Sequence, residues 1–176
     1  MRTSMRALAA ALAAGIAALL LSVAVGASAS DSSGSSGSGS GSGDEQLLDA
    51  TLAPSMPGDP AFHGVNPGGV PWVLDRGEVK LSSDNELDLR VEGLVIPRPV
   101  GDGTAGAVTS ITASLYCGAD AETVATETSR QARLSRDGDA RLRDRSFDVP
   151  DTCLSPVILV HPNGNAAAYI AVNGWR

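Results

Sequence analysis

Apolar and polar residues alternate with period two along most of the chain after residue 70, the pattern of strands with one buried face. In residues 86–92 the apolar set is Leu87, Leu89 and Val91, while Glu86, Asp88, Arg90 and Glu92 take the opposite face. Residues 77–82 alternate in the same way, with Val79 and Leu81 on the inward parity. The two runs predict a hairpin whose register follows from charge. Inward parity on both strands excludes a two-residue loop. A three-residue loop at Ser83-Asp84-Asn85 pairs Leu81 with Leu87 and Val79 with Leu89, and it sets Lys80 opposite Asp88 and Glu78 opposite Arg90. Opposite charges across such a pair contribute about 0.2–1 kcal/mol each.

The alternation continues. Residues 108–117 place Ile111, Ala113, Leu115 and Cys117 on one parity and Ser110, Thr112 and Ser114 on the other, which reads as a solvated face. Weaker strands are predicted over residues 123–125 and 131–135. Asp137-Gly138 marks a second hairpin, with a loop of Arg136-Asp137-Gly138, Gly138 left-handed, Leu134 facing Ala140 and Ala132 facing Leu142. Residues 157–160 form a short continuous apolar run, as in a central strand, and Asn163-Gly164 turns the chain into a last strand over 166–172. About eight short strands at regular spacing predict an all-β domain, an antiparallel immunoglobulin-like β-sandwich, with an open β-barrel as the alternative.

The chain before residue 70 reads differently. Arg2 and Arg6 precede an uncharged Ala/Leu/Val-rich run over 7–25, and Ala27-Ser28-Ala29 supplies a small-residue exit. This is the pattern of a signal peptide (1–29) cleaved before Ser30. The alternative is a retained membrane anchor, since the run approaches the length of a bilayer span. In both cases the remainder lies outside the cell. Residues 30–43 are Gly and Ser almost throughout, a disordered linker. Residues 44–69 read as an extended lead-in rich in Pro and Gly, with a turn or two of helix over 45–52 and Phe62 laid over the core. The sandwich domain is assigned to 70–176.

Composition narrows the function classes. The 176 residues carry 13 Lys and Arg against 20 Asp and Glu, so a nucleic-acid binder is disfavoured. The imbalance is uneven: residues 44–128 hold 14 acids and 4 bases, whereas 129–176 hold 5 acids and 7 bases. Aromatic residues make up only 3%, leaving a thin aliphatic core that a covalent staple would help. Cys117 and Cys153 are the only cysteines, and in an exported chain they predict a disulfide.

The candidate site is the cluster Arg133, Arg141 and Arg143, around the Asp137-Gly138 hairpin. The predicted register sets Arg133 opposite Arg141. Two facing cations call either for acids on a neighbouring strand (Glu86, Glu92 or Glu127) or for an anionic partner, such as a cell-wall polymer or another surface protein. Calcium at Asp84, Glu86 and Asp88, or at Asp137 and Asp139, lacks the expected loop spacing. A small extracellular hydrolase using His161 is the alternative function, but no G-x-S-x-G elbow accompanies it. No metal or other cofactor is implied.

Residues 60–174 resemble a group of secreted proteins of high-GC actinobacteria. The resemblance rests on Phe62-His63-Gly64-Val65, Pro67-Gly68-Gly69-Val70-Pro71-Trp72, Ala113-Ser114-Leu115-Tyr116-Cys117, Cys153-Leu154-Ser155-Pro156-Val157 and His161-Pro162-Asn163-Gly164. These motifs are turns, strand ends and the cysteines. The resemblance implies a secreted β-sandwich and no activity.

Overall fold

The computed structural model describes residues 45–119 and 123–174; the expected signal peptide and Gly/Ser linker lie outside them. The strands are β1 (Gln46–Pro54), β2 (Asn66–Pro67), β3 (Arg76–Ser82), β4 (Leu87–Glu92), β5 (Ser110–Tyr116), β6 (Glu127–Thr128), β7 (Ala132–Arg133), β8 (Ala140–Asp144), β9 (Val157–Pro162), β10 (Ala168–Tyr169) and β11 (Ala171–Asn173). Among the described residues there is no helix. The main sheet runs β6-β5-β9-β11-β1-β3-β4-β8, with β7 also on β5, and its antiparallel strands curl into a half-barrel. β2 and β10 form a separate parallel ladder.

The β3–β4 hairpin has the register that charge selects: Leu81 faces Leu87, Val79 faces Leu89, Lys80 faces Asp88 and Glu78 faces Arg90. Ser82 N–H donates to the Glu86 carbonyl (3.1 Å), closing the three-residue loop, and Asn85 takes the left-handed conformation that the turn requires (φ 64°).

β1 is the main departure from the sequence pattern. Residues 46–54, expected as a helical turn in a lead-in, form a strand at the centre of the sheet. Leu48 and Leu52 fit a helical i, i+4 pair, but with Ala50 they also fit strand parity. A bulge between Gln46 and Leu48 displaces Leu47 from the series. The first part of β1 pairs with β3 through Thr51↔Glu78, and the last part pairs with β11 from Leu52↔Asn173 to Pro54↔Ala171. β1 therefore joins the two parts of one continuous sheet, and the half-barrel is consistent with the expected all-β sandwich or open barrel. The compact region begins at about residue 45 rather than 70.

The main core fills the inner face. Val79, Leu81, Leu87, Leu89, Leu94, Ile111, Leu115, Phe147, Ile158 and Val160 are fully buried there. A second cluster of Val65, Tyr116, Leu159, Tyr169 and Val172 covers the other side of β5, β9 and β11. Phe62 completes it edge-on against Tyr169, with ring centroids 5.6 Å apart. This cover corrects the expected solvated face of β5: Thr112 and Ser114 are buried beneath it, and Ser114 Oγ lies 2.9 Å from Thr128 Oγ1. The strand expected over 123–125 lies instead at β6. The last expected strand is split between β10 and β11 by Ile170, whose N–H donates to the Val160 carbonyl.

The second hairpin is half as expected. Its turn is present, with Gly138 left-handed (φ 85°) and Ser135 N–H donating to the Asp139 carbonyl (2.9 Å). Its strands do not pair with each other. β7 pairs with β5, and β8 pairs with β4 over five residues, burying Leu142 opposite Leu89 and Ala140 opposite Val91. The turn is fixed to the loop after β4 by Leu94 N–H donating to the Gly138 carbonyl; a Cβ at Gly138 would come within 2.6 Å of the Leu94 backbone. Arg133 therefore does not stand opposite Arg141. Arg90 does.

Candidate functional site

β7 and β8 face each other as the two unladdered edges of the curled sheet, and the seam between them collects the arginines. Arg130 pins one end: its N–H donates to Asp144 Oδ2 (2.9 Å) and its Nη2 to the Arg143 carbonyl (3.0 Å). The 135–139 turn closes the other end. A depression of about 340 Å³ runs along the seam, lined by Arg130, Gln131, Ala132, Arg133, Arg141, Leu142 and Arg143. Four guanidinium groups and no carboxylate line it. A neighbouring groove of about 810 Å³ brings Arg90, Arg133 and Arg141 beside Asp75, Glu92, Asp137 and Asp139, so its charge is mixed.

The three sequence-predicted arginines meet at the seam but differ in their partners. Arg141 Nη2 lies 2.8 Å from Asp88 and Arg143 Nε 2.5 Å from Glu86, both acids on or beside β4. The hydrogen bond that Arg141 donates to Asp88, and then the charge of that carboxylate, raise the Arg141 pKa. Glu86 also takes Arg145 (3.6 Å), and Glu92 takes Arg90. Arg133 is exposed and makes no ion pair with the described residues. It borders the seam, the mixed-charge groove and a further depression of about 480 Å³ that reaches Asp102, Thr104 and Arg136.

Asp144 is a part of the site that sequence reasoning missed. It shares the inward parity of Ala140 and Leu142, and an acid on that parity was the available signal. Its side chain is 4% exposed. Burial alone would raise its pKa, but hydrogen bonds from Arg130 N–H, Ser146 N–H and Ser146 Oγ, with the Arg130 guanidinium, hold it below the ordinary carboxylate value. Arg130 and Arg90 were likewise not singled out.

His161 is fully buried on the covered face of β9, opposite Thr112. Its Nδ1 lies 2.8 Å from the Ala168 carbonyl, which fixes Nδ1 as the protonated nitrogen of a neutral ring, and Nε2 has no hydrogen-bond partner among the described residues. Burial pushes its pKa down, against the raising effect of that hydrogen bond. A hydrolytic His instead turns Nδ1 to a carboxylate and Nε2 to a nucleophile. The second histidine, His63, is buried and stacks on Tyr116 at 4.7 Å.

Four of the five acids weighed for calcium are engaged elsewhere. Asp84 accepts from Ser82 Oγ, Asp88 and Glu86 pair with arginines, and Asp139 Oδ1 accepts Gly93 N–H (3.0 Å). Among the described residues no group of three or more His, Cys, Asp or Glu is placed to hold a metal ion. Cys117 and Cys153 form a disulfide with Cα atoms 5.0 Å apart, tying the end of β5 to the loop before β9. Gly118 N–H donates to the Leu154 carbonyl beside it (2.7 Å). Compared with family models, curated proteins and solved structures, the chain finds no match.

Proposed function

We propose that this chain is a secreted, non-catalytic module that binds an acidic partner at the cell surface or wall, a wall polymer or another surface protein, through the β7–β8 seam. The observation that carries the reading is the depression lined by Arg130, Arg133, Arg141 and Arg143 with no acid among its walls. The disulfide is consistent with an oxidising extracellular location, and the N-terminal pattern supports export. Membrane attachment enters only if the N-terminal segment is retained.

The test is sedimentation of the protein with cell-wall material. The wild-type chain is expected in the pellet, and the charge-reversed variant Arg133→Glu/Arg141→Glu/Arg143→Glu in the supernatant at equal melting temperature. Equal pelleting of the two would remove the reading. The second reading, a hydrolase using His161, draws on the free Nε2 of a buried imidazole. Against it stand the main-chain partner of Nδ1 and the complete burial of the ring.

A further inference from the structure

We infer that the β2–β10 ladder is an acid-released cover: protonation of His161 lifts residues 56–67 and 164–169 from β5, β9 and β11 and bares the apolar face beneath. The β7–β8 seam takes no part in it.

The cover has boundaries of its own. At one end Ser55 N–H donates to the Ile170 carbonyl (2.9 Å), Trp72 N–H to the Ser55 carbonyl (3.0 Å) and Ile170 N–H to the Val160 carbonyl (2.8 Å). At the other end Asn163 Oδ1 accepts the N–H groups of Thr109 (2.9 Å) and Ser110 (3.2 Å), and its Nδ2 donates to the Ala107 carbonyl (3.2 Å). Between these clamps β2 and β10 ladder with each other and with no strand of the main sheet. Gly68 N–H on the Tyr169 carbonyl and the Tyr169 hydroxyl on the Pro60 carbonyl, both 2.8 Å, bind the cover to itself. Residues 56–58 and 163–167 are exposed.

Side chains hold it down. Val65 and Tyr169, with Phe62 beside them, pack on Tyr116, Leu159 and Val172 of the sheet. His161 Nδ1 meets the Ala168 carbonyl (2.8 Å). A contact of this size, bounded by fixed points, opens as a local unit at less cost than the whole fold.

His161 is the group in that contact whose charge changes in mild acid. Its Nε2 is buried with no hydrogen-bond partner among the described residues, and burial disfavours the charged ring. A second N–H and a charge there find no acceptor. Directly opposite on β5 is Thr112, with Ser110 and Ser114 on the same face. β9 adds Leu159, β10 adds Ala168 and Tyr169, and β2 adds Asn66 and Pro67. The stretch over 129–131 brings Gln131, whose Nε2 donates to Ser110 Oγ (2.6 Å), while its Arg130 pairs with Asp144. Asp59, the acid of residues 56–67, accepts Met56 N–H (2.7 Å). The titratable groups on the face are thus the Tyr169 phenol and, farther along β5 on Tyr116, the His63 ring. With no carboxylate to answer it, the imidazolium needs water. β5 and β9 are laddered from Ile111↔Pro162 to Tyr116↔Val157, so the wall that yields is the cover.

The experiment is hydrogen exchange of the full secreted chain at about pH 7.5 and about pH 5.5, expressed as protection factors so that the intrinsic pH dependence of exchange drops out. Protection within 62–68 and 168–169 is expected to fall severalfold, by at most about tenfold per pH unit for one proton. Protection in β3 and β4 stays constant, and a dye that binds apolar surface brightens. His161→Asn is expected to abolish the fall, whereas His63→Asn keeps it. Tyr169→Phe, which releases the Pro60 carbonyl, should lower protection of the cover severalfold at both pH values. An equal fall in β3 and β4, no fall anywhere, or a fall that survives His161→Asn would overturn the inference. So would its loss in His63→Asn, which hands the trigger to the other imidazole. Should His161→Asn not fold, unchanged protection in Tyr169→Phe would overturn it as well.

Discussion

Arg90 stands directly opposite Arg141 on the outer face of the β4–β8 ladder, and each cation is answered by its own acid: Arg90 by Glu92 and Arg141 by Asp88. Like charges opposite one another destabilise a sheet unless neighbours compensate. Exposed pairs of this kind are worth about 0–1 kcal/mol. A double-mutant cycle on Arg141→Ala and Asp88→Ala, read by urea unfolding, is therefore expected to give a coupling below about 1 kcal/mol that shrinks further in high salt. A coupling well above that value would mean that Arg141 is a fixed structural group that does not yield to a ligand.

Asp144 is the opposite case, a carboxylate buried on the inward face of β8 behind the seam. Asp144→Asn replaces one acceptor oxygen with an N–H group facing other donors, and it is expected to cost about 1–3 kcal/mol in chemical denaturation. The pH dependence has a definite sign. A lowered folded pKa means that the unfolded chain binds the proton first, so the stabilisation is present above about pH 4 and is lost as pH falls through the lower folded value. Asp144→Asn should flatten the acid limb of the stability curve. An unchanged limb would place the acid sensitivity elsewhere.

His161 acts in a different window. Burial disfavours its protonated form, so between its folded pKa and the ordinary value near 6.5 the unfolded chain carries more protons than the folded one. Its contribution is complete above that ordinary value and falls away as the solution is acidified through the window. The melting temperature is expected to fall from about pH 6.5 downward. His161→Asn, which offers the Ala168 carbonyl an N–H without titrating there, should reduce the slope below about pH 6.5.

The disulfide spans 36 positions, and closing a loop of that size removes unfolded-state entropy worth about 4 kcal/mol in the chain-entropy account. Cys117→Ser/Cys153→Ser is expected to lower stability by up to that amount, and reductant should have a comparable effect on the wild-type chain and none on the variant. A reductant effect on the variant would point to something other than this bond.

Much of this was legible in the residues. The β3–β4 register follows from two constraints that agree, inward parity and charge pairing, and the geometry repeats both. The pairing of β8 was not legible, because the Asp137-Gly138 turn predicts a local partner while Leu142 and Ala140 gain more by burial against Leu89 and Val91. β5 was misread on one face because alternation records only polarity. Ser and Thr satisfy a buried position when another hydroxyl lies within reach, as Thr128 does for Ser114. The arginine cluster could be named from sequence. Its arrangement could not, since the seam exists only once the two ends of the sheet curl towards each other.

β1 has a consequence for any shortened form of the molecule. Beginning the chain at residue 70 strips β3 and β11 of their shared neighbour, and bare edges recruit strands from other molecules. Such a fragment is expected to elute from a sizing column as oligomers, and a synthetic peptide spanning residues 45–55 should return it to monomers. The decapeptide or so preceding the proline-rich stretch thus behaves as a keystone, whose loss leaves two strands open to self-association.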